Sequence, residues 1–312
     1  MRRTILGLTS WIGGILLLIG VVRWVPDFET EDLAGVLTPL SVASWVSITF
    51  LARLLLAEIL VRPVRALGGT LGRGEAFWLG WVRSFCNQLV PLTGMAVFAG
   101  FMRRRAGMAW GRVAALASPQ FLLAITASGL FGVLAVASAR DSLGNQALPL
   151  LGIFTGAAVG AMLLILRGAH GLRFAPAFLR RRLDSAHQAL VLLAEDHSLL
   201  AGVLGLHFST VCLRAARLWL LFASAHNSTP LPQVLLMVAI SEIGFLVQLT
   251  PGGMGLREGA LVGTAAFLGL DTTAVAGIAL ADRLLILALT ATLAAPSFWA
   301  LHHLPRRDNA EG

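Results

Sequence analysis

Apolar residues fill this chain in long blocks, and the polar residues gather between the blocks rather than alternating with them. A helix needs about twenty apolar residues to cross a bilayer core. On that measure residues 4–22, 37–61, 113–139, 147–166, 199–225 and 273–301 each predict a membrane-crossing helix. Two further apolar stretches, 76–102 and 231–271, are interrupted by proline and glycine. Proline lacks an amide hydrogen and clashes with the preceding turn, and glycine permits tight turns. Each stretch therefore predicts a helix, a break and a second helix. Residues 168–198 follow another pattern. Leu179, Leu183, Ala186, Leu190 and Leu193 recur at helical spacing among charged residues, as in an amphipathic helix lying on a membrane surface.

The connections set an orientation. The termini and the segments 62–75, 103–112 and 167–182 are basic, which places them on the cytoplasmic side, whereas 23–35, 140–146 and 226–232 are acidic or neutral. The stretch 76–102 then starts and ends inside. It is too short for two crossings, so it predicts a re-entrant hairpin with Pro91 near its tip. The stretch 231–271 starts and ends outside and fits either a re-entrant hairpin or two short spans. Gln88-Leu89-Val90-Pro91 is echoed by Gln248-Leu249-Thr250-Pro251, and an in-span arginine, Arg53 or Arg214, precedes each by a similar distance. Unit 37–139 thus reads as an upside-down counterpart of unit 199–301. Inverted repeats with interrupted helices point to a transporter with its site near the midplane. The expected fold is all-α: a polytopic membrane protein of about six transmembrane helices plus two re-entrant helical hairpins. Residues 1–312 are expected to form a single transmembrane domain in a bacterial-type cytoplasmic membrane, with both termini inside.

Composition narrows the class. The chain is 57% hydrophobic and 13% charged, with mean hydropathy +0.80, where a soluble domain is about a quarter charged. Net charge is +8, and the basic residues are arginines in short loops, which suits anionic lipid. Nucleic-acid binding is not expected, because no soluble basic-aromatic module is present. Cys86 and Cys212 both lie in apolar segments, so no disulfide framework is expected. The first apolar block is long and Val22-Arg23-Trp24 is no cleavage site, so a retained helix is expected rather than a signal peptide.

Charges inside membrane spans are costly and therefore mark candidate functional positions. Arg53, Arg83, Arg214, Arg217, Arg257 and Arg283 are positive; Glu58, Glu242, Glu258 and Asp282 are negative. The positive excess suits an anionic ligand such as a phosphate head group. Glu58 and Arg62, four apart, predict a structural pair. Arg214 and Arg217 share a helical face and invite a common anion. Asp282 and Arg283 are adjacent and need separate partners, for which Arg257 and Glu258 are candidates. Gly252, Gly253 and Gly255 precede a helix expected to begin near Leu256, whose free amides attract anions. Arg257 and Glu258 lie in its first turn. Asn87, Gln88 and Gln248 are set to satisfy broken-helix backbone or to touch the ligand. No catalytic signature, metal-ligand set or cofactor motif is present, so neither metal nor cofactor is expected. His170, His187, His197, His302 and His303 read as interfacial.

The motif Pro251-Gly252-Gly253-Met254-Gly255-Leu256-Arg257-Glu258-Gly259, followed by Gly269 and Ala279-Leu-Ala-Asp282-Arg283, resembles the lysylphosphatidylglycerol synthase transmembrane-domain family. Arg83, Asn87, Pro91 and Gly94 ahead of Arg103-Arg104 resemble it more loosely; Met95 stands where the family has an acidic residue. The resemblance implies movement of modified phospholipids or polyprenyl-linked sugars between leaflets. It does not bring the aminoacyl-transferase domain of the synthases, for which no segment is expected. The expected function is a lipid flippase. A membrane enzyme or an accessory scaffold of lipid or glycan synthesis is the alternative. Expected partners are membrane lipids with anionic head groups and a glycosyltransferase or lipid-synthesis enzyme.

Overall fold

The computed structural model describes residues 36–90, 92–105, 108, 110–171, 191, 194–225, 229–246 and 250–304. The expected span 4–22, most of the amphipathic segment 168–198, Pro91 and Gln248 lie outside the described residues.

The described chain is helical. Its helices are α1 (Pro39–Ala66), α2 (Arg73–Leu89), α3 (Thr93–Arg105), α4 (Trp110–Ser138), α5 (Ala147–Gly171), α6 (His197–Ser224), α7 (Leu231–Leu246), α8 (Leu256–Phe267) and α9 (Thr272–His303). Among the described residues, five stretches are long and apolar enough to cross a bilayer: α1, Leu116–Ser138 of α4, Arg140–Arg167 containing most of α5, α6 and α9. They coincide with five of the expected spans. The protein is a multi-pass helical membrane protein. Its outer surface agrees, because Leu40 and Leu148 are 78% and 77% exposed, an arrangement suited to lipid. The 140–146 connection is the helical turn Arg140–Leu143 joined to the 3-10 turn Gly144–Gln146.

Helix starts follow local chemistry. Thr38 Oγ1 accepts from the Ser41 amide at 3.2 Å, with Pro39 next to it in the first turn, where a missing amide costs nothing. Asp271 accepts from the amides of Thr273 and Ala274 at 2.9 and 3.1 Å and starts α9.

The two largest apolar clusters among the described residues hold most of the bundle. The larger joins Trp45 of α1, Leu218, Leu221 and Phe222 of α6, Met237 of α7, Val262 of α8 and Ala281 of α9. The other joins Val61 and Val64 of α1, Leu79 of α2, Phe98 and Met102 of α3 and Leu116 of α4. α4 and α5 approach closely because Gly132 has no side chain; a Cβ there would lie 2.0 Å from the buried Phe154 ring. Small residues commonly permit this in membranes.

Both interrupted stretches fold as helix, break, helix. In α2–α3 the polar groups freed by the break are satisfied from within. Asn87 Oδ1 accepts from the Gly94 amide at 2.7 Å. Thr93 Oγ1 donates to the carbonyls of Cys86 and Val90 at 2.6 and 2.7 Å. At the other end, Arg105 ion-pairs with Glu75 at 3.5 Å. The same side chain donates to the carbonyls of Leu301 and Leu304, both at 2.7 Å, at the end of α9. Glu75 also accepts from the Gly72 amide at 2.8 Å and caps α2.

Between α7 and α8 the turn Pro251–Gly253 carries glycines at positive φ, 58° at Gly252 and 73° at Gly253, a region that side chains enter at a cost. Thr250 Oγ1 donates to the Met254 carbonyl at 2.9 Å. Glu258 Oε2 accepts from the Gly255 amide at 2.8 Å, and α8 begins at Leu256 as expected.

Candidate functional site

α9 carries the two adjacent charges on which the site is built. Successive helical residues point about 100° apart, so Asp282 and Arg283 address different neighbours. The Asp282 carboxylate lies 2.8 Å from Nη1 of Arg257, which donates to Oδ2, and 3.0 Å from Nε of Arg217. Nη2 of Arg217 also donates to Oδ2 at 3.1 Å. The indole N–H of Trp45 donates to Oδ1 at 2.8 Å. One carboxylate therefore joins α1, α6, α8 and α9. Arg283 turns the other way. Its Nη1 donates to the Gly252 carbonyl at 2.8 Å, and its Nε lies 3.9 Å from Glu258. The partners expected for this adjacent pair, Arg257 and Glu258, are the ones found.

Arg214 and Arg217 do share a face of α6, yet they take different acids. Arg214 pairs with Glu242 of α7, and Arg217 with Asp282. The Arg217 guanidinium also stacks 4.8 Å from the Trp45 ring. Its Nη1 lies 3.5 Å from the Thr49 hydroxyl. Removing one charge from such a buried pair strands the other, which is why these contacts hold helices in register.

Arg53 and Arg83 lie on α1 and α2. The Arg53 guanidinium sits 4.5 Å over the ring of Trp81 in α2, and Nη1 donates to the Gly80 carbonyl at 3.4 Å. The Arg83 guanidinium lies 5.5 Å from the Phe98 ring in α3. Glu58 does not balance them. It takes Arg62 at 3.7 Å, as its spacing predicts, and Arg73 as well.

The two breaks meet. A Cβ built on Gly252 would lie 3.2 Å from Cγ of Gln88, next to the end of α2, and 3.1 Å from Nη2 of Arg283. Gln88 Nε2 reaches Thr290 of α9 at 3.4 Å. Asn87, by contrast, is used within its own hairpin.

The structure thus pairs Arg217 and Arg257 with Asp282, Arg214 with Glu242 and Arg283 with Glu258, with Gly252, Gly253 and Gly255 in the adjoining turn and Gln88 touching it. Among the described residues, six arginines, counting Arg53 and Arg83, share this interior with three carboxylates. Sequence reasoning passed over Trp45, Thr49 and Thr290. A tryptophan inside an apolar span carries a donor that must find an acceptor, and that signal pointed to Trp45.

A family model described as the lysylphosphatidylglycerol synthase TM region matches residues 11–294 of this chain. The comparison with curated proteins found no match.

Proposed function

We propose a function for this chain from one premise: it belongs to the lysylphosphatidylglycerol synthase transmembrane family. That membership supports a role in the modification or transport of membrane lipid. Within that range the reading is a lipid flippase. It moves an anionic or lipid-linked head group, a modified phospholipid or a polyprenyl-phosphate-linked sugar, between leaflets. Units 37–139 and 199–301 are taken as an inverted repeat in a bacterial cytoplasmic membrane, with both termini inside. On this reading α2–α3 and α7–α8 are re-entrant and enter from opposite faces.

One observation carries the reading: among the described residues, six buried or half-buried arginines against three carboxylates in the interior, with the touching breaks beside Arg283. An excess of guanidinium within a membrane protein is costly unless an anion completes it, and guanidinium matches phosphate oxygens in geometry and charge. The head group would enter beside Gly252 and Gln88 while its acyl or prenyl tails stay in lipid. Rocking of one unit against the other would carry it across.

The test is leaflet exchange in vesicles containing the purified protein, with labelled phosphatidylglycerol and phosphatidylcholine compared. The anionic lipid should exchange at least about tenfold faster, the discrimination expected from one charge-assisted hydrogen bond. Equal rates for the two lipids, or rates no higher than in protein-free vesicles, would refute the reading.

A further inference from the structure

The arginines of the interior are not equivalent. Arg214, Arg217, Arg257 and Arg283 each have a carboxylate at ion-pair distance. Among the described residues Arg53 and Arg83 have none. Arginine does not shed its proton in proteins, so both remain cationic. Their compensation is aromatic: Trp81 beneath Arg53 and Phe98 beneath Arg83. A cation–π contact contributes about 0.5–2 kcal/mol, less than the several kcal/mol of taking an ion out of water. Arg53 also lies within electrostatic reach of Arg83, Arg214 and Arg217, so its surroundings add repulsion rather than relief. Beside it the indole N–H of Trp81 is buried with no acceptor. Two guanidiniums and an indole are thus donors of neighbouring α1 and α2 for which, among the described residues, no carboxylate supplies a negative acceptor. The contrast within α1 is direct, since Arg62 has Glu58 for a partner.

We propose that Arg53 and Arg83 form the contact for the phosphate ester of the ligand, a site on the α1–α2 wall. The guanidiniums of α6, α8 and α9 are its electrostatic backing. This rests on the flippase reading for the source of the phosphate, and it deepens that reading by naming where the phosphate sits. Both side chains are only partly buried. Phosphate oxygens would accept from both guanidiniums while the aromatic rings hold the planes in place.

Native mass spectrometry of the detergent-solubilised protein tests it, with phosphatidylglycerol, phosphatidylcholine and inorganic phosphate as separate probes. Wild type should retain phosphatidylglycerol over phosphatidylcholine. R53Q/R83Q should weaken that retention about a hundredfold, roughly tenfold for each guanidinium. R53K/R83K keeps both charges and should recover most of it, and R62Q should leave it unchanged. Loss confined to inorganic phosphate would identify a free anion rather than a lipid as the source, with the site upheld. If R53Q/R83Q folds and binds both probes like wild type, the assignment is overturned. Leaflet exchange separates this from the broader reading. Selective exchange that survives in R53Q/R83Q overturns the phosphate contact alone. Arg53-dependent retention without selective exchange in wild type overturns the flippase and upholds the site.

Discussion

Replacing Asp282 by asparagine tests the electrostatic logic of the interior most directly. The residue is 1% exposed and takes Arg217, Arg257 and the Trp45 indole at 3.0, 2.8 and 2.8 Å. Asparagine keeps the volume but loses the charge, and it places an amide NH2 among three donors. Two buried guanidiniums lose their counterion in one step. Breaking a buried pair from one side costs about 3–5 kcal/mol, a factor of hundreds to thousands in the unfolding equilibrium. Chemical unfolding in mild detergent, followed by tryptophan fluorescence, would measure it. E58Q is the comparison: Glu58 pairs with the more exposed Arg62 and Arg73, where less than about 1 kcal/mol is expected. The double variant D282N/R257Q removes one stranded cation and should be less destabilised than the two single changes summed. D282N within about 1 kcal/mol of wild type, or strict additivity in the double variant, would refute the reasoning.

Arg257→Ala should leave the protein folded, because Asp282 keeps Arg217 and Trp45. Head-group exchange in vesicles should nevertheless fall at least about tenfold for the lost cation. Gly252→Ala forces a side chain into φ 58° and against Arg283 and Gln88. A loss of about 1–2 kcal/mol in unfolding free energy is expected from the left-handed backbone alone. Gly94→Ala should be worse placed still, since its Cβ would lie 2.4 Å from the Arg83 carbonyl and 2.7 Å from Asn87. The α2–α3 hairpin must open to admit it, at about 1–3 kcal/mol, read as a lower melting temperature.

Much of the frame was legible because membrane crossing is decided by length and hydropathy, both properties of contiguous sequence. The spans now seen as α1, α4, α5, α6 and α9 were visible for that reason, as was the start of α8 after Gly255. The partners of Asp282 and Arg283 were also accessible, since adjacent charges on a helix cannot face each other. What the pattern could not supply was pairing across helices. Arg214 and Arg217 looked set for a common anion because they share a face. They divide instead between Glu242 and Asp282, which arrive on two different neighbouring helices. Asn87 and Gln88 are adjacent, yet one closes its own hairpin and the other reaches Thr290. Arg53 resting on Trp81 was beyond reach for the same reason, since nothing local to α1 records which face of α2 will pass by.

Arg105 grips the carbonyls of Leu301 and Leu304 at the end of α9 while its own helix belongs to the first hairpin. The two elements are therefore coupled like a lever pinned to its post. A swing of α2–α3 about its outer end must drag the tail of α9 along or tear both bonds at once. At its other end the hairpin meets α9 again through Gln88 and Thr290, so the two elements are fastened at both ends.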